Sequence, residues 1–356
     1  MHRHGLKPLA VGGAFALVAA WCVGLCIQGV AGAGTAGERL LIVSAAGPSY
    51  RAVGHVYDGS GRLVQTIEAP LHASLTWSPN GAMIAITDSA GVWVERANGS
   101  NKRQLLATKT KCTISCLSSP TVAWTPDGKQ LAVGGVDPKT TGFALVDVAS
   151  GRVTPLRAPK PFVFYRPIAF SPNGRWLAES FSSGDSGTAS CCVEALVVAH
   201  ADGSHPRVLH RFGDPIHDGP GVATWSPDST RIAFTDDGRD SRDPRFAVVD
   251  VQSGRLHPLD PYKVYDQSPA WSPDGTRLAL TQYVGPAFTV AADGTDFHSL
   301  GVQGTLAIWL RDGDVLIAAG DTGHTIVDIP GGQGETPRTL ITLPGREQML
   351  SMREAS

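Results

Sequence analysis

Short apolar runs alternate with turn residues along this chain, and one arrangement of the two recurs over most of its length. An aromatic residue comes first, a tight turn of the Ser-Pro-Asp-Gly type follows, and an apolar run with a small residue inside comes next. Six copies, mostly about forty to fifty residues apart, begin at Trp77, Trp124, Phe170, Trp225, Trp271 and, in degenerate form, Trp309. This period predicts an array of small sheets of propeller type.

The chemistry of the turn explains the recurring letters. Proline presets φ for the second turn position, Asp or Asn suits the third, and glycine accepts the positive φ that closes the turn. Each turn therefore joins a first strand to a second, and the second strands are predicted at Ile84–Ile86, Leu131–Val133, Ile232–Phe234 and Leu278–Leu280. The competing interpretation is a set of unrelated turns in a β-sandwich, which does not explain the fixed order of motifs.

A third apolar run in each repeat ends in a second glycine turn. These turns are Asn98-Gly99, Ser150-Gly151, Asp202-Gly203, Ser253-Gly254, Asp293-Gly294 and Gly331-Gly332. A polar fourth strand, such as Arg103–Leu106 or Arg207–His210, follows and completes a four-stranded antiparallel blade with a soluble outer edge. The predicted fold is all-β.

The two ends of the chain decide the number of blades. Leu40–Val43, Val53–Val56 and Leu63–Ile67 have the order of second, third and fourth strands with no first strand before them. At the other end, Glu347–Met352 is left without a blade of its own. If this C-terminal strand pairs within the N-terminal blade, the ring closes without a long exposed edge. We predict seven blades on this basis, with six as the alternative.

Composition agrees with an all-β domain. The 356 residues include 41 glycines and 25 prolines, only 17% are charged, and the formal net charge is −2. Many turns and little helical periodicity fit this composition. A near-neutral balance gives no electrostatic footprint for nucleic acid or an anionic membrane surface.

We expect residues 1–37 to form a leader and residues 38–356 to form a single propeller domain. We expect this domain to be a monomer.

The N-terminus has the pattern of an export signal. A short basic segment ends at Lys7, the stretch from Leu9 to Val30 is apolar, and Ala31-Gly-Ala33 offers a small-residue cleavage site. The apolar stretch is also close to the length that spans a bilayer. Two outcomes therefore stay open, a signal peptide cut near Ala33 and an uncleaved membrane anchor, and both place the propeller outside the cytoplasm.

Four cysteines lie beyond the leader, namely Cys112, Cys116, Cys191 and Cys192. An even number in an exported chain favours disulfides. A zinc site is the alternative, but adjacent cysteines chelate one ion awkwardly. We expect a Cys112–Cys116 bond, with Cys191 and Cys192 bonded to each other or across loops.

The core Trp-Ser-Pro-Asp-Gly-x-x-Leu-Ala, followed by an Asp-Gly turn, resembles the WD40-like repeat of TolB-type β-propellers from about Leu40 onward. The resemblance implies the fold but not a function, since such blades occur in periplasmic binding proteins, in propeller domains of prolyl peptidases and in some polysaccharide lyases. The chain departs from TolB in showing no α/β domain before the propeller, so the partners of that family are not carried over.

Loop lengths suggest where function lies. The turns between first and second strands and between third and fourth strands are tight and share one face. The opposite face, here the long-loop face, receives nearly all the long connections, which are 107–120, 157–167, 181–193, 211–221, 235–245 and 260–268. Long loops on a rigid scaffold usually carry function.

Residues just before each innermost strand are expected to ring the channel mouth on this face. The predicted ligand-binding set is His72, Arg166, Asp218, Tyr262, Tyr265 and Gln267, and Gln303, Phe162, Phe164 and Tyr165 belong to the same ring. Polar groups beside aromatics suit a peptide or a carbohydrate. The alternative for any one aromatic is that it caps a gap between blades.

Several fragments resemble catalytic or metal sites but lack the required context. Gly184–Gly187 matches a protease nucleophile segment without the two barrels such an enzyme needs. The histidines at 200, 205, 210 and 217 fall on different parts of a blade, and the aspartates at 236, 237, 240 and 243 alternate with arginines. We expect no catalytic residues, metal or cofactor. The predicted function is non-enzymatic binding of an envelope or extracellular protein, peptide or glycan, with a polysaccharide lyase or hydrolase as the alternative.

Overall fold

The computed structural model describes residues 39–46, 51–58, 62–71, 73–107, 121–134, 144–156, 164–182, 193–216, 223–236, 245–259, 269–281, 285–319, 325–332, 336–342 and 348–354. Within these ranges the regular structure is strand, apart from a 3-10 turn at Pro330–Gly332. No helix in the described part of the chain is long and apolar enough to cross a membrane.

The strands follow one another in short segments along the chain. The first fourteen are β1 (Arg39–Ala46), β2 (Arg51–Asp58), β3 (Leu63–Leu71), β4 (Ser74–Trp77), β5 (Met83–Asp88), β6 (Gly91–Arg96), β7 (Arg103–Ala107), β8 (Thr121–Trp124), β9 (Gln130–Gly134), β10 (Ala144–Asp147), β11 (Val153–Pro155), β12 (Phe164–Phe170), β13 (Trp176–Ser182) and β14 (Val193–His200). The others are β15 (Arg207–Ile216), β16 (Thr224–Trp225), β17 (Arg231–Asp236), β18 (Arg245–Asp250), β19 (Leu256–Leu259), β20 (Ala270–Trp271), β21 (Arg277–Leu280), β22 (Pro286–Ala291), β23 (His298–Trp309), β24 (Val315–Ala319), β25 (Thr325–Ile329), β26 (Arg338–Thr342) and β27 (Gln348–Glu354).

These strands pair antiparallel in groups of four. Groups 2 to 5 are β4–β7, β8–β11, β12–β15 and β16–β19, each a separate sheet in sequence order. Group 1 is a sheet of order β27-β1-β2-β3. The expectation that the C-terminal segment supplies the missing strand of the N-terminal blade is therefore confirmed, with Leu40 opposite Glu354 and Ile42 opposite Met352.

Strands β20–β26 form one seven-stranded sheet because β23 serves two groups. Its first part, as far as Gln303, pairs with β22, and its second part, from Gly304, pairs with β24. We call the two halves group 6 and group 7. The strand continues without a turn where the other groups are separated by a connection, so the boundary between these two groups is a change of pairing partner.

The repeat turns hold themselves closed by side-chain hydrogen bonds. At Ser78, Thr125, Ser171, Ser226 and Ser272 the hydroxyl donates to the Asp or Asn oxygen two residues later, over 2.6 to 2.8 Å. The same hydroxyl accepts the backbone N–H five residues later, as in Arg277 N to Ser272 Oγ at 2.9 Å. The fourth turn position has positive φ, which Gly275 adopts at 70° and Ser229 at 65°. Ser229 departs from glycine there, and its hydroxyl accepts Asn173 N–H from the neighbouring group at 3.0 Å.

Buried apolar side chains fill the spaces between successive groups. The described residues form seven hydrophobic clusters, and each cluster joins two neighbouring groups. One of them joins the ends of the array, since Tyr57 of group 1 packs with Ile308 and Leu316 of group 7. The core is thus distributed around a closed array, as a propeller requires.

Three of the repeat tryptophans tie their first strand to the group before it. The indole Nε1 of Trp124, Trp225 and Trp271 donates to a backbone carbonyl in the preceding first strand, namely Thr76 O, Ala169 O and Thr224 O, over 3.0 to 3.3 Å. In each case the acceptor residue directly precedes the aromatic residue of its own repeat. The recurring tryptophan therefore orients one blade on the next.

Candidate functional site

Of the sequence-predicted ligand set, the structure describes the backbone of Arg166. Arg166 lies in β12, the first strand of group 4, opposite Ser180 of β13. His72, Asp218, Tyr262, Tyr265 and Gln267 lie outside the described residues, as do Cys112, Cys116, Cys191 and Cys192. Their roles stay predictions.

Two expectations about the connections change. Strand β15 continues to Ile216, so the part of the predicted 211–221 loop up to that residue is strand. Gln303, expected at the channel mouth, is an exposed residue within β23, at the point where that strand changes partner. It directly precedes Gly304, where β23 begins to pair with β24 as the first strand of group 7, and no turn separates the two parts of the strand.

The described part of the long-loop side contains an unusual polar residue between groups 3 and 4. Glu179 is only 1% exposed, yet it occupies a strand position that is apolar in the other repeats. The second strands of the groups can be aligned by the way each one pairs with its first strand. In this alignment the positions equivalent to Glu179 hold Ile86, Val133, Phe234, Leu280 and Ile317. All five are fully buried. These five groups therefore bury an apolar side chain at the position where group 4 buries a carboxyl.

Register shows which way Glu179 faces. Its partner on β14 is Val197, and side chains directly opposite in a sheet lie on the same face. Val197 belongs to the cluster between groups 3 and 4, together with Leu177, Ala123 and Ala132. Glu179 thus points from group 4 toward group 3, one step nearer the long-loop side than Leu177.

On the surface that faces Glu179, group 3 has a threonine and a glycine. Thr121 and Gly134 pair with each other and lie two residues from Ala123 and Ala132, on the same face toward group 4. The positions equivalent to Gly134 hold Thr87, Ser180, Thr235, Thr281 and Ala318. Gly134 has no side chain at this position. We call Glu179, Thr121 and Gly134 the 3/4 polar site.

Two polar atoms of this site have no hydrogen-bond partner among the described residues. They are Glu179 Oε1 and Thr121 Oγ1, and both are buried. Burial raises the pKa of the Glu179 carboxyl from 4.5 to about 8. The carboxyl is therefore protonated and neutral at pH 7, and it offers one O–H donor and one carbonyl acceptor.

Four connections on the long-loop face begin or end beside this site. Segment 108–120 leads into Thr121, segment 135–143 follows Gly134, segment 157–163 leads into β12 and segment 183–192 follows β13. Both pairs of cysteines belong to two of these segments. The 3/4 polar site therefore lies at the base of the cysteine-containing loops.

A second concavity lies on the opposite, tight-turn face, between groups 2 and 3. This cleft has a volume of about 400 Å³ and is lined by Met83, Arg96, Asn101, Arg103, Gly128, Lys129, Asp147, Val148 and Ala149. The Arg103 guanidinium donates to Val148 O across the cleft. Hydrogen bonds from Ser150 lower the pKa of Asp147. The cleft is open and lined by charged side chains. Two of them, Arg103 and Asp147, already have hydrogen-bond partners.

The histidines of group 4 lie where the repeat pattern places them. The His200 and His205 rings are 4.9 Å apart on the tight-turn face, and His200 also contacts Trp176. His210 lies on β15 and packs against Phe212 and Phe234. Among the described residues no group of three or more His, Cys, Asp or Glu side chains is arranged to hold a metal ion.

Sequence reasoning missed Glu179 and Thr121. Glu179 could have been found by aligning the second strands of the repeats, because it is a carboxyl at a position where the other repeats have apolar residues. Thr121 gives no such signal, since a threonine at the start of a strand is ordinary. Its importance comes from lying opposite Glu179 across the interface.

Comparison with known proteins agrees with this architecture. Residues 75–161 match the family model described as "Anaphase-promoting complex subunit 4 WD40 domain". No curated protein matches the chain. Among solved structures, TolB from Acinetobacter baumannii is 17% identical with a TM-score of 0.51, over 72% of this chain and 62% of that chain. This chain thus spans less than two thirds of that TolB.

Two further solved structures have a similar fold. A chain of the nidogen/laminin complex is 11% identical with a TM-score of 0.51, over 90% of this chain and 99% of that one. An oligogalacturonate lyase in complex with manganese is 12% identical with a TM-score of 0.55, over 86% of both chains. These likenesses concern the fold. The prediction of a TolB-type, WD40-like β-propeller is confirmed at that level.

Proposed function

We propose that this chain is an extracytoplasmic, non-enzymatic binding propeller that recognises a protein, peptide or carbohydrate on its long-loop face. One observation carries the proposal. At the base of the long loops the 3/4 polar site holds a buried carboxyl oxygen and a buried hydroxyl that have no hydrogen-bond partner among the described residues. Buried polar groups in native proteins nearly always have hydrogen-bond partners, so an exception at this place points to a ligand.

The contrast between the two faces supports the choice of face. The turns of the tight-turn face close on themselves through hydroxyl, carboxylate and backbone hydrogen bonds, as at Ser226 and Asp228. Such groups are already satisfied and have little left to offer a partner. The long-loop face carries the connections that vary in length from repeat to repeat, which suits recognition.

The fold neighbours are compatible with a binding role. The nidogen/laminin structure is, by its name, a complex between proteins, and TolB and the WD40 model belong to the same class of propeller fold. We extend only the general role of a binding scaffold to this chain. The leader in residues 1–37 supports export, and the strand groups support seven blades.

Capture of a partner tests the proposal. The purified propeller, residues 38–356, is used as bait on an envelope extract, in wild-type form and with Arg166→Ala and Asp218→Ala. We expect these changes to weaken capture by about 2 kcal/mol or more if the residues are central contacts, with little effect on folding.

The tight-turn face supplies the matched controls. Thr276→Ala and Lys129→Ala should leave capture unchanged, and Lys129 also lines the cleft between groups 2 and 3. Loss of capture with Lys129→Ala but not with Arg166→Ala would assign recognition to the cleft and overturn the choice of face.

A lyase or hydrolase acting at the channel mouth is the alternative, and the likeness to an oligogalacturonate lyase favours it over other enzyme classes. The test is incubation of the chain with oligogalacturonate and added Mn²⁺. Formation of an unsaturated product, absorbing in the ultraviolet, would replace the binding proposal with an enzymatic one.

A further inference from the structure

The chemistry of the 3/4 polar site narrows the class of ligand. The cluster between groups 3 and 4, toward which Glu179 points, contains Ala123, Ala132, Ala195 and Val197, all of them apolar. Pro167 lies opposite Glu179 on β12. Burial is what raises the Glu179 pKa, and no positively charged side chain in the described part of the chain contributes to it. A site without a compensating charge favours a neutral occupant, because bringing in a cation would desolvate two charges at once.

A neutral carboxyl matches one common neutral group especially well. Its O–H donates and its carbonyl oxygen accepts, so it forms two parallel hydrogen bonds with a primary amide, in which one N–H lies on the same side as the carbonyl oxygen. The Thr121 hydroxyl can then donate to the second lone pair of the amide carbonyl. A single sugar hydroxyl cannot meet both oxygens of the carboxyl in this parallel way.

Gly134 contributes no side chain at this level. The equivalent residues of groups 2, 4, 5 and 6 are threonine or serine, and their side chains are buried. Glu179 of group 4 lies on the surface that faces the Gly134 position. A position without a side chain, a donor and an acceptor therefore lie on the facing surfaces of two neighbouring blades.

We infer that Glu179 and Thr121 form a binding site for a neutral primary amide of a protein partner, the side chain of an Asn or Gln residue, inserted between groups 3 and 4. The inference rests on the proposed function and specifies the chemistry of one contact. It makes Glu179 a hydrogen-bonding residue in its protonated form and assigns it no catalytic step.

Propionamide is the probe, titrated at pH 7 against the full propeller with methyl-labelled Thr and Val residues observed by NMR. We expect saturable shifts of the Thr121 and Val197 methyl signals. Propylammonium and methyl galactoside, as a cation and a sugar, are expected to leave these signals in place.

Three variants separate hydrogen bonding from packing. Glu179→Ile restores the residue type of the other repeats, should fold at least as well, and should weaken propionamide binding more than tenfold. Glu179→Gln keeps one donor and one acceptor and should retain binding within about threefold. Thr87→Val, at the equivalent of Gly134 in group 2, is the control and should bind as wild type does.

Unchanged binding in Glu179→Ile would overturn the inference, as would saturation by propylammonium or methyl galactoside in place of propionamide. Absence of any probe shift would also overturn it and assign the site to ordered water. If propionamide fails while Arg166→Ala still weakens partner capture, the inference fails and the proposed function stands. If propionamide binds while no long-loop variant affects capture, the proposed function fails.

Discussion

At the scale of single residues, Glu179 makes the stability of the protein depend on pH. Its pKa is about 8 in the folded protein and has the ordinary value of 4.5 when exposed. Between these values the folded chain keeps the proton that the unfolded chain releases. The folded state then binds more protons, so the free energy of unfolding falls as pH rises, by about 1.4 kcal/mol per pH unit for one group.

The prediction is read from urea unfolding at pH 5, 6, 7 and 8. Wild type should lose stability relative to Glu179→Gln as pH rises through this window, because the glutamine does not titrate. Above pH 8 the difference in unfolding free energy should level off, since Glu179 is then ionised in both the folded and the unfolded protein. Parallel pH curves for the two proteins would show that Glu179 is solvated in solution.

The cysteines are also a matter of single residues. In protein taken from its native compartment we expect Cys112 and Cys116 to be bonded, and Cys191 and Cys192 to be bonded to each other or across loops. A bond between adjacent cysteines is strained, because disulfides prefer Cα atoms further apart. Alkylation under denaturing conditions counts the free thiols, and four of them would contradict the expectation.

At the scale of elements, the repeat tryptophan has two contributions that can be measured separately. Trp225 is buried and donates to Ala169 O at 3.0 Å. Trp225→Phe removes this hydrogen bond and part of the ring, and we expect a loss of about 1 to 3 kcal/mol of unfolding free energy. Phenylalanine fits the position in principle, since the chain itself has Phe170 there in group 4.

Trp77 is the matched control. It is equally buried, but its Nε1 has no hydrogen-bond partner. Trp77→Phe should therefore cost less than Trp225→Phe, because it relieves an unsatisfied donor as it loses ring volume. Chemical denaturation of both variants gives the difference, and equal losses would mean that packing and not the indole hydrogen bond sets the contribution.

The element scale also shows how well turn chemistry predicts strands. The runs predicted as second strands lie in β5, β9, β17 and β21, because the turn residues fix where each strand must reverse. The exceptions are β15, which extends to Ile216, and β23, which serves two groups. No turn signal marks either case, and pairing with neighbours decided the length.

At the scale of the whole molecule, β27 holds the two ends of the chain together. It pairs with β1 from Leu40 to Ala45. Deleting residues 346–356 should leave group 1 without its first strand and lower the unfolding free energy by several kcal/mol, on the order of half or more of a typical domain's stability. A deletion of residues 355–356, which follow β27, is the control.

Thermal unfolding measures both deletions. The longer deletion should lower the melting temperature strongly and the shorter one should not. An unchanged melting temperature after the longer deletion would contradict closure by the C-terminal strand. The number of blades, seven or six, is read directly from an experimental structure of the intact chain.

The sequence by itself determined the repeat, the turns, the strand order and the pairing of the chain ends, because these depend on local dihedral preferences and on alternation that is written into neighbouring residues. Tertiary structure decided what meets across the blade interfaces. Glu179 and Thr121 are 58 residues apart in the chain. Only the packing of group 4 on group 3 brings a carboxyl, a hydroxyl and a missing side chain to one level, and only burial at that interface keeps the carboxyl neutral.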